Sequence, residues 1–271
     1  MTLFPETLVS HIGQTFILAY QENTDRLASW LGHAGCQVEV LRQIHRPDYQ
    51  RYSRSYLCLL SHRKAWERAL LSEQPTLVVE ADFVPVANFA QLPPPYPPDD
   101  HHLGIAWLYT CAAQIYTITD RGYAEGYSTA MVAYVVTQQS AWRLIELAES
   151  VKERPGPETY TPWDSGIEYY LRDRSFHNYV PWRNYGEHGG IPNPEHRQNN
   201  LSTTHRADVL YGPLAFEPPY GDVLQQRAYG RLKGLGRLLL NKYLRGPVLR
   251  GSSHPARLLR FAIGRQLTLR L

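Results

Sequence analysis

Cysteine is scarce in this sequence, with three in 271 residues: Cys36, Cys58 and Cys111. An odd, widely spaced set fits reduced thiols better than a disulfide framework, and the spacing matches no zinc motif. Reduced thiols in a cytosol are the expectation. No apolar run reaches the roughly 18 residues that a membrane-spanning helix requires. The opening "MTLFPETLVSHIGQ" lacks a basic stretch followed by an apolar one, so no secretory signal is expected. Acidic residues are also missing from one region. Of the 28 Lys and Arg, eleven lie from Val223 onward, where Asp and Glu are absent. The remaining 17 stand against all 25 acids over 1–222, a balance of −8 that the net charge of +3 conceals. A basic tail on an acidic body implies an anionic partner for the tail. No nucleic-acid recognition motif accompanies the charge, so nucleic acid is not the expected partner.

What is present is enough apolar residue, 43%, for a sizeable core. "QTFILAY" (14–20) reads as a buried strand. "ENTDRLASWLGHAG" (22–35) places Leu27, Trp30 and Leu31 at helical spacing and ends in Gly35, a C-cap residue. "CQVEVLRQI" (36–44) alternates like a strand. This βαβ opening predicts an α/β fold with a mostly parallel central sheet flanked by helices. "SHRKAWERALLSE" (61–73) predicts a helix capped by Ser61. "QLPPPYPPDDHH" (91–102) and "ERPGPETYTP" (153–162) are loops by their proline content. Further strand structure is expected in "WLYTCAAQIYTI" (107–118), a strand and then a helix over 130–150, and a helix over 163–173. Residues 181–222 read as irregular. No internal repeat is present. The division expected is one domain over 1–222 and a basic, Leu/Arg-rich helical appendage over 223–271.

"LVVEADFVPV" (77–86) ends an apolar strand in two acids, Glu80 and Asp82. Residues two apart on a strand face the same side, and open α/β sheets bind ligands beyond the carboxyl ends of their strands. Two acids there can hold a divalent cation that clamps a diphosphate. The alternative is a solvated turn.

The longer block "CLLSHRKAWERALLSEQPTLVVEADFVPV" (58–86) resembles the centre of the family 25 glycosyltransferases, the lipopolysaccharide glycosyltransferases. The features that match are Cys58, Ser61-His62, Trp66 and the acids at Glu80 and Asp82. "ILAYQENTDR" resembles that family's opening strand and its Asp-Arg turn, here Asp25-Arg26. "AMVAYVVTQQSAWRLI" with "TPWDSGIEYYL" resembles its later strand, helix and Asp, here Asp164. The resemblance spans roughly residues 14–173 and departs at Ala81, where the family has a third acid. It implies a GT-A-like nucleotide-sugar-binding fold. It also implies donor contacts from Tyr20, Asn23, Arg26, Ser61, His62, Glu80 and Asp82, and a divalent metal, Mn2+ or Mg2+.

Ser61 and His62 fit either a donor site or a helix start with a first-turn histidine. They form no Ser-His hydrolytic pair, because adjacent helical residues do not face each other. Glycosyl transfer with inversion needs a base for the acceptor hydroxyl. Asp164 is the first candidate and Glu187 the second, while an ordinary capping role is the alternative for Asp164. The stretch 184–208 carries His188, His196 and His205 among Gly, Pro and Asn, which suits a functional loop. His188, between Glu187 and two glycines, is the expected third metal ligand. In the tail, leucines alternate with arginines and lysines, a pattern that suits an anionic membrane surface. A helical pair packed on the domain is the alternative.

The reading these expectations support is a cytoplasmic glycosyltransferase, peripheral on the inner face of the membrane. It would move a sugar from a nucleotide diphosphate sugar to a saccharide or lipid-linked acceptor, such as lipopolysaccharide, with inversion as the resemblance implies. Two alternatives stand beside it. One is a metal-dependent hydrolase of a phosphoester or nucleotide. The other is a non-catalytic, membrane-attached sugar-binding protein, to which the missing acid at Ala81 points.

Overall fold

The computed structural model describes residues 6–111, 113–190, 205–219, 221, 223–239 and 255–267. Strand β1 (Gln14–Ala19), helix α1 (Asp25–His33) and strand β2 (Val38–Arg42) form the expected βαβ unit. β1 and β2 are parallel, with Ile17 opposite Val40. Leu27 and Leu31, one turn apart, bury the inner face of α1. Gly35 follows the helix at φ +95°, where a side chain would be strained.

Helix α2 (Arg54–Ala69) begins well before the expected Ser61. Its cap is Ser53, whose hydroxyl accepts from the Tyr56 N–H at 3.1 Å. Ser61 instead lies mid-helix and donates to the Leu57 carbonyl at 3.3 Å. A serine hydroxyl is satisfied either way, so the residue type alone could not locate the start.

Strand β3 (Thr76–Glu80) lies parallel to β1 on the side away from β2, with Leu18 opposite Glu80. The remaining strands are β4 (Phe83–Pro85), β5 (Leu103–Trp107), β6 (Gln114–Ile118), β7 (Ala124–Tyr127), β8 (Ala133–Val136), β9 (His177–Val180) and β10 (Gly186–His188). The remaining α-helices among the described residues are α3 (Gln138–Glu153), α4 (Ile167–Arg172), α5 (Val223–Leu239) and α6 (Pro255–Leu267). The main sheet has eight strands in the order β2-β1-β3-β8-β5-β9-β7-β6. β8 is antiparallel to both its neighbours, as is β7 to its own, so the other six strands share one direction. β10 and β4 pair as a separate two-stranded antiparallel sheet.

The sheet is covered on both faces, and neighbouring residues of one strand go to opposite sides. Phe16, Leu18 and Val78 join a core with Trp66, Trp107 and Tyr134. Ile17, Leu77 and Val79 join another with Phe83, Phe89 and Tyr185. Burial on both faces explains why these strands read as unbroken apolar runs.

The last helix, beyond the expected division at 222/223, packs into the core. Leu258, Phe261 and Ala262 of α6 are buried in the same core as Trp66 and Tyr134. Phe261 packs edge-on against Trp182 with ring centroids 4.5 Å apart. Arg265 is fully buried and donates to Asp208 and, at 3.1 Å, to Thr110 Oγ1. Gln266 donates to the same Asp208 carboxylate at 2.7 Å. The basic, leucine-rich pattern therefore includes an ordinary inward face, and 255–267 is part of the body. Residues 240–254 and 268–271 of the expected appendage lie outside the described residues.

Candidate functional site

Strands β1 and β3 end side by side, and the chain turns away after each. The Glu80 N–H donates to the Val132 carbonyl and the Ala81 N–H to the Leu18 carbonyl, both at 2.8 Å. These bonds hold the turn after β3 against its neighbours, so Glu80 and Asp82 sit at the carboxyl edge of the sheet. A cleft of about 190 Å³ opens there. It is lined by Leu18 and Ala19 at the end of β1, Tyr20 and Glu22 after it, Cys58, Ser61 and His62 of α2, and Glu80, Ala81 and Asp82.

β10 brings a fourth segment to this edge. Its pairing with β4 sets His188 opposite Phe83, and His188 Nε2 lies 3.1 Å from Asp82 Oδ2. Glu80, Asp82 and His188 each present a ligand atom within 4.8 Å of the others. Burial alone would raise Asp82, but the facing His188 and the more distant Arg206 hold it below the usual carboxylate range. Burial alone would lower His188, but the charges of Asp82 and Glu80 push it up to about 9. At neutral pH the two form a carboxylate–imidazolium pair.

Glycine is required beside them. A Cβ at Gly190 would stand 2.1 Å from Asp82 Oδ2 and 2.6 Å from His188 Nε2. Asp82 Oδ1 and His188 Nδ1 are buried with no hydrogen-bond partner among the described residues. Two oxygens and a nitrogen, with space kept clear against them, fit a divalent cation of the Mn2+ or Mg2+ kind.

Glu80 is oriented by a relay that crosses three elements. Trp66 Nε1 donates to Tyr134 Oη at 2.9 Å, and His62 Nδ1 lies 2.9 Å from the same oxygen. His62 Nε2 lies 3.2 Å from Glu80 Oε1. An indole can only donate, so the phenol accepts from it and has its own proton free for His62 Nδ1. The imidazole proton then sits on Nε2 and points at Glu80. His62 is only 1% exposed and serves as a buried hydrogen-bonding residue that fixes the carboxylate. Cys58 completes a second group with His62 and Glu80. Burial pushes the Cys58 thiol well up, and the charges of Glu80, Asp164 and Asp82 add to that effect. It is therefore a neutral thiol, poor as a nucleophile or metal ligand.

Asp164 lies in the turn Trp163–Gly166 before α4, where one carboxylate oxygen accepts from the Ser165 N–H at 2.9 Å. Burial raises it to about 6, with the Glu80 charge adding, and it is not among the residues that line the cleft. Glu187 is placed differently from expectation. It is fully buried, and its Oε1 accepts from the backbone N–H groups of His188 and Ala207 at 2.8 and 2.9 Å. Burial pushes it to about 7. It pins β10 to the segment 205–208 and so holds His188 in position. A carboxyl with no exposed surface does not meet an acceptor.

Of the expected donor residues, Tyr20, Ser61, His62, Glu80 and Asp82 line the cleft. Asn23 and Arg26 do not. Asn23 accepts from the Asp25 N–H at 2.8 Å in the turn that leads into α1, and Arg26 stacks over Phe216 at 4.7 Å. The His205 ring lies 6.3 Å from that of His188, and His196 lies outside the described residues. Sequence reasoning missed Tyr134 and Arg206. The latter donates to the His188 and His205 carbonyls at 3.0 and 2.8 Å. No local pattern marks either residue, because each acts on a group distant in the chain.

No family model matches this sequence, and no curated protein does. Among solved structures, the chain is similar to a glycosyltransferase involved in the glycosylation of the major capsid of PBCV-1. The identity is 11% and the TM-score 0.39, over 63% of this chain and 83% of that one. A likeness of this size does not decide an activity, which has to be argued from the site.

Proposed function

We propose that this chain is a metal-assisted glycosyltransferase of GT-A type. It transfers a sugar from a nucleotide diphosphate sugar to a saccharide or lipid-linked acceptor, with inversion. The observation that carries this reading is the convergence of Glu80, Asp82 and His188 within 4.8 Å at the edge of a cleft at the carboxyl ends of the strands. Ala81 takes the place of a third acid in the family that the sequence resembles, and His188 offers a third ligand from another strand.

Glu80, Asp82 and His188 would hold the cation, with His188 giving up its proton to bind. A divalent cation bound there would neutralise charge on the diphosphate as it leaves. Asp164, ionised above about pH 6, takes the proton of the acceptor hydroxyl as that oxygen bonds to the anomeric carbon and the bond to the diphosphate breaks. The His62–Tyr134–Trp66 relay keeps Glu80 directed at the site, so little reorganisation is needed during reaction.

The hydrolase alternative draws on one observation, that Glu80 belongs to two overlapping ligand groups. Against it stand the neutral Cys58 thiol and the His62 proton directed at Glu80. The test is a thermal-shift panel of nucleotide diphosphate sugars with and without Mn2+. A ligand that binds only the native state raises the midpoint. One nucleotide sugar should raise it strongly with Mn2+ and weakly without. If no nucleotide sugar does so with any divalent metal, the transfer reading fails. Steady release of free sugar or phosphate at the full rate, with no acceptor present, would favour hydrolysis.

A further inference from the structure

The two C-terminal helices are amphipathic in an unusual sense. Seven of the twelve large hydrophobic residues exposed among the described residues lie on α5 and α6, which contain only 17 and 13 residues. That concentration sets this surface apart, because isolated exposed apolar residues elsewhere need no explanation. On α5, Leu224, Leu232 and Leu239 are 82%, 68% and 84% exposed. On α6, Leu259, Ile263 and Leu267 are 41%, 46% and 61% exposed. Spacings of four, seven and eight residues put each set on one side of its helix.

The opposite sides are accounted for. A Cβ at Gly230 would stand 2.5 Å from the Ala207 carbonyl, and one at Gly234 would stand 2.9 Å from Asp208 Cβ and Gln266 Oε1. Thus α5 approaches the body closely through its glycine side, which leaves its leucines outward. Arg231 donates to the Gln266 carbonyl at 2.9 Å and ties α5 to α6. The helices are held in place, and their apolar sides still face away from the protein.

We propose that the outer faces of α5 and α6 form one membrane-docking surface that inserts leucines into an anionic lipid leaflet. The charge of the segment selects this occupant. From Val223 to the end there are eleven basic residues and no acidic ones; Arg265 is buried against Asp208 and Arg257 pairs with Asp120, and the others leave the segment strongly positive. Basic residues flanking an inserted apolar face are attracted to anionic headgroups. A second copy of the same face would bring like charges together. No helix among the described residues is long and apolar enough to cross a membrane, so attachment would be at the surface. This proposal does not depend on the donor site, and either can fail alone.

The test is co-sedimentation of the full chain with vesicles of phosphatidylcholine alone and of phosphatidylcholine mixed with phosphatidylglycerol. The variant is Leu224→Ser/Leu232→Ser/Leu239→Ser, with Leu259→Ser/Ile263→Ser as a second. All these positions are exposed, so the melting midpoint should stay near wild type. Wild-type protein should pellet with the anionic vesicles. Added salt should weaken pelleting without abolishing it, because leucine insertion is not screened. Each inserted leucine lost should lower partitioning by about tenfold. The proposal is overturned if wild-type protein stays in the supernatant, or if both folded variants pellet like wild type. It is also overturned if salt abolishes binding, which would indicate charge alone. Concentration-dependent dimers that the triple variant abolishes, without vesicle binding, would assign the face to a second copy.

Discussion

Asp82 and His188 are partly exposed, yet each sets the other's charge. Asp82→Ala leaves a partly buried imidazolium without its carboxylate. It should cost about 1–3 kcal/mol of stability while the fold survives. The same variant should lose both transfer activity and any stabilisation by Mn2+. Near wild-type turnover in the purified variant would show that the donor metal is held elsewhere. Asp164 gives a prediction with a sign in pH. Its carboxyl is raised from 3.8 to about 6 in the folded protein. As a base it must be ionised, so kcat should rise with pH through about 6 and then level. Asp164→Asn should lower kcat by about a hundred- to ten-thousand-fold and remove that limb. Stability runs the other way. The folded state holds this proton more tightly, so its contribution is full below 3.8 and is lost as pH rises through about 6. Melting curves of the wild type and Asp164→Asn should therefore converge at low pH and part as pH rises. A flat rate profile would remove Asp164 as the base.

At the scale of elements, the site depends on α2, β8 and β3 keeping their alignment. Trp66 and His62 come from α2, Tyr134 from β8 and Glu80 from the end of β3. Tyr134→Phe removes one hydroxyl that satisfies two buried groups at once. The expected cost is about 1–3 kcal/mol of stability, from an unpaired indole N–H and imidazole. Freed from the phenol, His62 can move its proton to Nδ1 and stop donating to Glu80. Mn2+ affinity measured by calorimetry should fall about ten- to a hundredfold, as for other groups that orient metal ligands. A structural role alone would lower stability and leave that affinity unchanged. The β-branched and aromatic runs announced these elements clearly. The start of α2 was not legible, because Ser53 and Ser61 are equivalent as caps until the Tyr56 N–H is seen to meet one of them.

For the whole molecule, Asp208 is the point where the chain closes. Its Oδ1 accepts from Asn184 Nδ2 and the Val209 N–H at 3.0 Å, while Arg265 and Gln266 donate to Oδ2. The approach to β10 and the last helix thus meet at one carboxylate. A protein ending at residue 222 would leave Asp208 without two of its partners and uncover the core that Leu258 and Phe261 seal. Burial of each of those two side chains contributes about 1.5–3 kcal/mol. The truncated chain should therefore fail to give a cooperative melt by circular dichroism. A soluble, cooperatively melting 1–222 protein would restore the boundary that the charge asymmetry suggested.

The sequence by itself determined the βαβ opening, the apolar strand that ends at Glu80 and the charge division between body and tail. Those features are local, because strand alternation, helical spacing and proline-rich breaks act within a few residues. It also brought Glu80, Asp82, His62, Asp164 and His188 forward as candidates, since their chemistry can be read residue by residue. Only the tertiary structure decided their partners. Glu187 turned out to anchor backbone and His62 to orient Glu80, because their hydrogen bonds and burial are set by groups up to 72 residues away. The order of the sheet, with β8 inserted antiparallel between β3 and β5, was likewise not in the local pattern. Only the fold showed that the tail's leucines divide between a core face and an outer face. Helical spacing identifies a stripe of side chains, and the packing around the helix decides which stripe is covered.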